Sequence, residues 1–117
     1  GDHRPQVRTP AILDEFDAEL TQAAARGQTV IVDFWAPRCG PCRVIAPAFE
    51  ALAAEYPDAV FVKVNVDENH EAAAACGIHA LPTFMVFRDK TIVAMMMGAD
   101  ERRLRLMVDS HASQAPA

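Results

Sequence analysis

Thr29 to Trp35 reads Thr-Val-Ile-Val-Asp-Phe-Trp, and Ala36-Pro37-Arg38-Cys39-Gly40-Pro41-Cys42 follows directly. The first run is β-branched and aromatic with almost no alternation, the pattern of a central strand covered on both faces. Beyond Cys42 the chain turns alanine-rich, with apolar residues at helical spacing. A strand therefore delivers two thiols to the start of a helix. Helix N-termini carry free N–H groups and partial positive charge, and both favour a thiolate over a thiol. The thiolate is the reactive form, so the pattern points to a redox-active cysteine pair.

Composition narrows the setting. The 117 residues are 51% hydrophobic and 23% charged, which suits one ordinary globular domain with a real core. A net charge of −5 and the lack of any Lys/Arg cluster exclude a nucleic-acid surface. No apolar run approaches the ~18 residues that a membrane span needs. No signal peptide is visible, so the expected location is cytoplasmic, or organellar if a segment has been removed. Three cysteines are too few for a disulfide scaffold, and a CxxC then reads as redox or metal chemistry in a reducing compartment.

Along the chain, residues 1–6 read as a loose N-terminus, 7–112 as the domain and 113–117 as a frayed tail. Val7 to Ile12 fits a short edge strand, demoted by Pro10. Asp14 is the expected N-cap of a helix, with Asp17 as a weak capping box. Phe16, Leu20, Ala23 and Ala24 form its apolar face, and Gly27 ends it. The helix from Cys42 to Tyr56 places Val44, Ile45, Phe49 and Leu52 on one side and contains Pro47, which should kink it. Val60 to Val66 is a further strand, and Asp67 or Asn69 caps a short helix closed by Gly77. Thr83 to Phe87 and Ile92 to Met97 form a hairpin. Asp100 caps a last helix, on which Leu104, Met107, Val108 and His111 share a face. The order β-α-β-α-β-α-β-β-α predicts one mixed α/β sheet with helices on both faces.

The pieces Val32-Asp33-Phe34-Trp35-Ala36, Cys39-Gly40-Pro41-Cys42, Pro47, Lys63-Val64-Asn65-Val66-Asp67, Gly77-Ile78, Leu81-Pro82-Thr83-Phe84 and Gly98 resemble the thioredoxin family in order and spacing. The resemblance covers about Asp14 to His111 and implies the thioredoxin fold. It implies a protein-disulfide reductase with no cofactor beyond its own disulfide, fed by a thioredoxin reductase and acting as a monomer on disulfide-containing proteins. Cys39 would be the attacking thiolate and Cys42 the buried resolving thiol. Gly40 and Pro41 would set their spacing. Asp33 would be a buried carboxyl with a raised pKa that moves the Cys42 proton. Lys63 would lie near it, although the residues alone leave a surface lysine equally open. Pro82 would be a cis-proline, with Leu81 pairing to an extended substrate and Met97 and Gly98 lining the far side of the docking surface. Trp35, beside the dithiol, would serve as a fluorescent reporter of redox state.

Three departures stand out. Arg38 occupies the position where the family usually has Trp. A cation there should favour the Cys39 thiolate, make the disulfide more oxidising and turn partner choice towards acidic surfaces, unless the arginine is simply solvated. Lys90 stands where the hairpin turn commonly has Gly. Met95-Met96-Met97 is an apolar run in an edge strand, expected mainly to fill the core, with an exposed docking surface as the alternative. Cys76 is expected to be a buried small hydrophobe, with an exposed thiol open to oxidation or to linking two chains as the alternative, His70 and His79 are expected to be surface residues, and no metal-ligand spacing is present. Two other functions compete with a reductase: a thioredoxin-fold binding or chaperone-like module, and a dedicated disulfide oxidase or isomerase.

Overall fold

In a computed structural model, which describes residues 6–112, the chain forms β1 (Val7–Arg8), α1 (Leu13–Ala25), β2 (Val30–Trp35), α2 (Gly40–Glu55), β3 (Val60–Asn65), α3 (His70–Ala75), β4 (Thr83–Arg88), β5 (Thr91–Met97) and α4 (Glu101–Ala112). The ends at 1–5 and 113–117, read as loose above, lie outside the described residues. The sheet order is β1-β3-β2-β4-β5. β1, β3 and β2 run parallel, β4 returns antiparallel to β2, and β5 pairs antiparallel to β4. This is the mixed sheet expected from the element order.

β2 is central because its side chains can be buried on both faces, and strand alternation sorts them. Ile31 joins Phe49, Phe61, Phe84, Leu104 and Val108 in the core beneath α2 and α4. Val32 and Phe34 join Phe16, Leu20, Val62, Val64 and Met85 in the core beneath α1 and α3. Phe49 packs edge-on to Phe61 at 5.4 Å between ring centroids. Burying an aromatic of this size contributes about 1.5–3 kcal/mol.

Several local expectations are corrected. α1 starts at Leu13 with Ile12 at the N-cap and no side-chain cap, so Asp14 is not the cap. Asp14 and Glu15 lie instead in the first turn, where their charge complements the helix dipole, and Glu15 accepts from the Ala11 N–H at 2.8 Å. Ala24 is only half-buried. The strand expected over 7–12 stops at Arg8, before Pro10. α2 begins two residues before Cys42 and continues through Pro47, and Val44 is exposed rather than part of its apolar side. Asn69, not Asp67, caps α3, accepting from the Ala72 N–H at 3.1 Å. Asp100 does accept from the Arg103 N–H at 3.1 Å at the start of α4.

The β4–β5 hairpin turns on Asp89 and Lys90, with φ of 51° and 65°. Both central residues thus take the left-handed conformation of a type I′ turn, and Lys90 holds it without the freedom of glycine. In β5, Met96 alone of the three methionines is buried, while Met95 and Met97 are exposed on the opposite face. Core filling therefore describes Met96 and not its neighbours. β5 is the sheet edge, and Val93, Met95 and Met97 on its outward face are exposed.

Candidate active site

α2 begins where it does because Cys39 takes the N-cap position in an extended conformation, with φ −84° and ψ 107°. Pro41 falls in the first turn, where its missing N–H removes no helix bond. The Cys42 N–H points back along the helix axis and donates to Cys39 Sγ at 3.2 Å. The helix end thus supplies a hydrogen bond as well as its field to this sulfur. Cys39 and Cys42 form a disulfide with Cα atoms 5.3 Å apart. Their exposure differs: Cys39 is partly exposed, whereas Cys42 is 2% exposed. The loop ahead is braced by Arg43, whose guanidinium donates to the Pro37 carbonyl at 2.8 Å.

Asp33 lies on β2, opposite Lys63 of β3 and Phe84 of β4. It is 0% exposed, and neither carboxylate oxygen has a hydrogen-bond partner among the described residues. Burial pushes its pKa from an ordinary 3.8 up to about 7, Lys63 opposes the rise and Glu50 of α2 adds to it. The Lys63 ammonium lies 4.6 Å above the Trp35 ring centroid and 4.0 Å from Glu50 Oε1.

The Leu81–Pro82 bond is cis, as expected. Because β4 runs antiparallel to β2, with Thr83 opposite Phe34, Pro82 lies at the end of the sheet from which the dithiol loop departs. Met97 pairs with Thr83 at that same end, and the Gly98 N–H donates to the Pro82 carbonyl at 2.9 Å. Gly98 has a φ of +97°, a conformation that side-chain-bearing residues rarely adopt. Leu81 is half-buried and Met97 is exposed.

Arg38 differs from its expected setting. Its guanidinium holds both carboxylate oxygens of Asp67, at 2.9 and 2.8 Å. Cys39 therefore neighbours an ion pair rather than an unpartnered cation. Glu50 was not singled out from the sequence. Asp67 was read only as a candidate helix cap and as the end of the motif from Lys63 to Asp67, and its partner Arg38 lies 29 residues away. Glu50 is one glutamate on the outer side of a helix, and no sequence signal marks it. Cys76 is partly buried against the core beneath α1 and α3, and burial raises its thiol pKa. His70 and His79 are exposed. Among the described residues no cluster of three His, Cys, Asp or Glu could hold a metal, and no helix is long and apolar enough to cross a membrane.

A dithiol that closes into a disulfide at a helix N-terminus exchanges electron pairs with other disulfides, and this chemistry on this sheet defines the thiol–disulfide oxidoreductases. The chain belongs to one family of them, the thioredoxins, whose profile, described as Thioredoxin, matches residues 9–110. It is 42% identical over 104 residues to Thioredoxin H-type of Oryza sativa subsp. indica, covering 89% of this chain and 85% of that one. The solved thioredoxin of Fasciola hepatica superposes with a TM-score of 0.85 at 41% identity, over 89% of this chain and 98% of that one. A longer relative, the peptide-N(4)-(N-acetyl-beta-glucosaminyl)asparagine amidase of Caenorhabditis briggsae, is 39% identical over 95% of this chain, which spans 18% of that protein's length.

Proposed function

We propose that this oxidoreductase acts as a protein-disulfide reductase in which Cys39 attacks, Cys42 resolves and Asp33 carries the proton of the second step. The unequal pair carries the reading: an accessible sulfur that accepts a helix N–H, beside a buried one. In the reduced protein the Cys39 thiolate attacks one sulfur of a substrate disulfide. The Cys39–substrate bond forms, the substrate S–S bond breaks, and one substrate thiolate leaves. Cys42 passes its proton to the Asp33 carboxylate and attacks Cys39 Sγ. The Cys39–Cys42 bond forms and the second substrate thiolate leaves. Two electrons have then moved from the protein to the substrate, and two protons follow. A base with a pKa of about 7 suits a proton transfer near neutral pH.

Lys63 tunes Asp33 in this reading, and Trp35 covers Lys63. Gly40 and Pro41 hold the sulfurs within closing distance, while Arg38 with Asp67 flanks the nucleophile. Leu81 and Pro82 on one side, and Met97 and Gly98 on the other, form a docking strip for an extended substrate segment. Electrons come from a thioredoxin reductase, and the compartment is the cytoplasm; family membership supports both. The test is dithiothreitol-driven reduction of a protein disulfide. Cys39→Ser abolishes turnover, and Cys42→Ser accumulates a mixed disulfide on Cys39. Undiminished turnover in the first variant, or no trapped adduct in the second, overturns the assignment of that cysteine.

A further inference from the structure

A buried carboxylate next to a lysine usually takes that lysine as its partner, since an unpaired buried charge is costly. Here it does not. Asp33 and Lys63 are opposite one another on adjacent strands and share a face of the sheet, yet both Asp33 oxygens are unpartnered. The Lys63 ammonium is held elsewhere, over the Trp35 ring and towards Glu50. A surface recess of about 340 Å3, lined in part by Thr9, Trp35, Glu50 and Lys63, opens on this side. Lys63 is 16% exposed and Glu50 53%, so the pair reaches solvent while Asp33 does not.

We infer that Glu50 is a positioning residue for the resolving step, drawing the Lys63 ammonium outward to the recess and so leaving Asp33 free to hold and release a proton. This rests on the proposed role of Asp33. The sign follows from the charges around that carboxyl. From β3 it faces Lys63. From α2 the Glu50 charge acts on it. Phe84 of β4, its register partner, and Leu104 and Val108 of α4, in the core beneath Ile31 on the same face of β2, bring no charge. Neutralising Glu50 removes a repelling charge and releases a cation towards Asp33. Both changes favour the carboxylate, so both lower the pH at which Asp33 titrates.

The experiment is a carboxyl-carbon NMR titration of Asp33 in the disulfide form, where neither cysteine of the pair titrates. It compares the wild type with Glu50→Gln, Lys63→Gln and the double variant. Glu50→Gln lowers the midpoint by about half a pH unit or more, and the shift falls to less than half of that when Lys63 is already Gln. In the reduced protein, the acid limb of the resolving step moves to lower pH by the same amount, while the rate of Cys39 attack is unchanged. An unmoved midpoint, an equal shift with and without Lys63, or a resolving profile that does not follow the midpoint overturns the inference. Asp33→Asn separates the two claims: if it leaves the resolving rate at neutral pH unchanged, the role of Asp33 fails, whatever Glu50 does to its titration.

Discussion

Two carboxylates flank the dithiol loop in sequence, Asp33 before it on β2 and Asp67 beyond the end of β3, and each has a basic residue within reach. Asp67 is 41% exposed and accepts two hydrogen bonds from Arg38. Asp33 is fully buried and accepts none among the described residues, with Lys63 turned towards Glu50. In water an ion pair adds little, because solvent already stabilises both charges. In the interior the missing partner dominates, because nothing replaces the lost hydration. The paired carboxylate is thus a surface feature, and the unpaired one is a buried group whose pKa is pushed up to about 7.

The largest expected effect tests the buried member. Below pH 3.8 the Asp33 carboxyl is protonated in both the folded and the unfolded chain. Between 3.8 and about 7 the folded chain holds a proton that the unfolded chain has lost, so stability falls as pH rises through this window. Above about 7 the contribution is constant. At about 1.4 kcal/mol per pH unit the loss is on the order of 4 kcal/mol. Denaturant unfolding of the disulfide form should show the stability of the wild type dropping by that amount relative to Asp33→Asn between pH 3.5 and 8. Parallel curves for the two proteins would mean that Asp33 titrates normally and would erase the contrast with Asp67.

Next in size is Lys63→Gln. It removes the cation that opposes the rise in the Asp33 pKa, so the carboxyl titrates at higher pH. The acid limb of the resolving step should move up, slowing that step about three- to tenfold below pH 7 in stopped-flow measurements. A downward move would show that Lys63 acts on Asp33 only by excluding water.

How much of this contrast the sequence carried depends on where each partner sits. The strand order, the dithiol at the helix start, the burial of Asp33 and the cis bond at Pro82 were legible, because each rests on a local pattern or a shared motif. Arg38 was legible as a departure but not as half of a pair, since Asp67 reaches it only once β3 is laid beside β2. Glu50 was illegible for the same reason. β5 misled differently. Its residues are as apolar as those of β2, but burial of a strand depends on what covers it, and an edge position leaves Val93, Met95 and Met97 in solvent.

A smaller effect comes from Lys90, whose ammonium pairs with Asp17 at 3.0 Å on the surface. Lys90→Gly removes that pair and relieves a side chain at φ 65°. If exposed pairs are worth little, relief wins, and the variant gains about 0.5–1 kcal/mol in unfolding free energy. A net loss would show that exposed ion pairs matter more here than the comparison allows.

The smallest expected change is the most direct test of the exposed member. Arg38 and Asp67 side chains are 72% and 41% exposed, so Arg38→Ala should alter stability by under about 1 kcal/mol, and less in high salt. Its chemical consequence depends on which half of the pair is removed. Arg38→Ala leaves an unpartnered carboxylate beside Cys39, which disfavours the thiolate. Asp67→Asn leaves an unpartnered guanidinium, which favours the thiolate and makes the dithiol more oxidising. A redox titration followed by Trp35 fluorescence should therefore move in opposite directions for the two variants and return towards the wild type in the double variant. If both single variants moved the same way, the pair would be acting through loop geometry rather than charge. Arg38 would then carry no electrostatic message to the nucleophile.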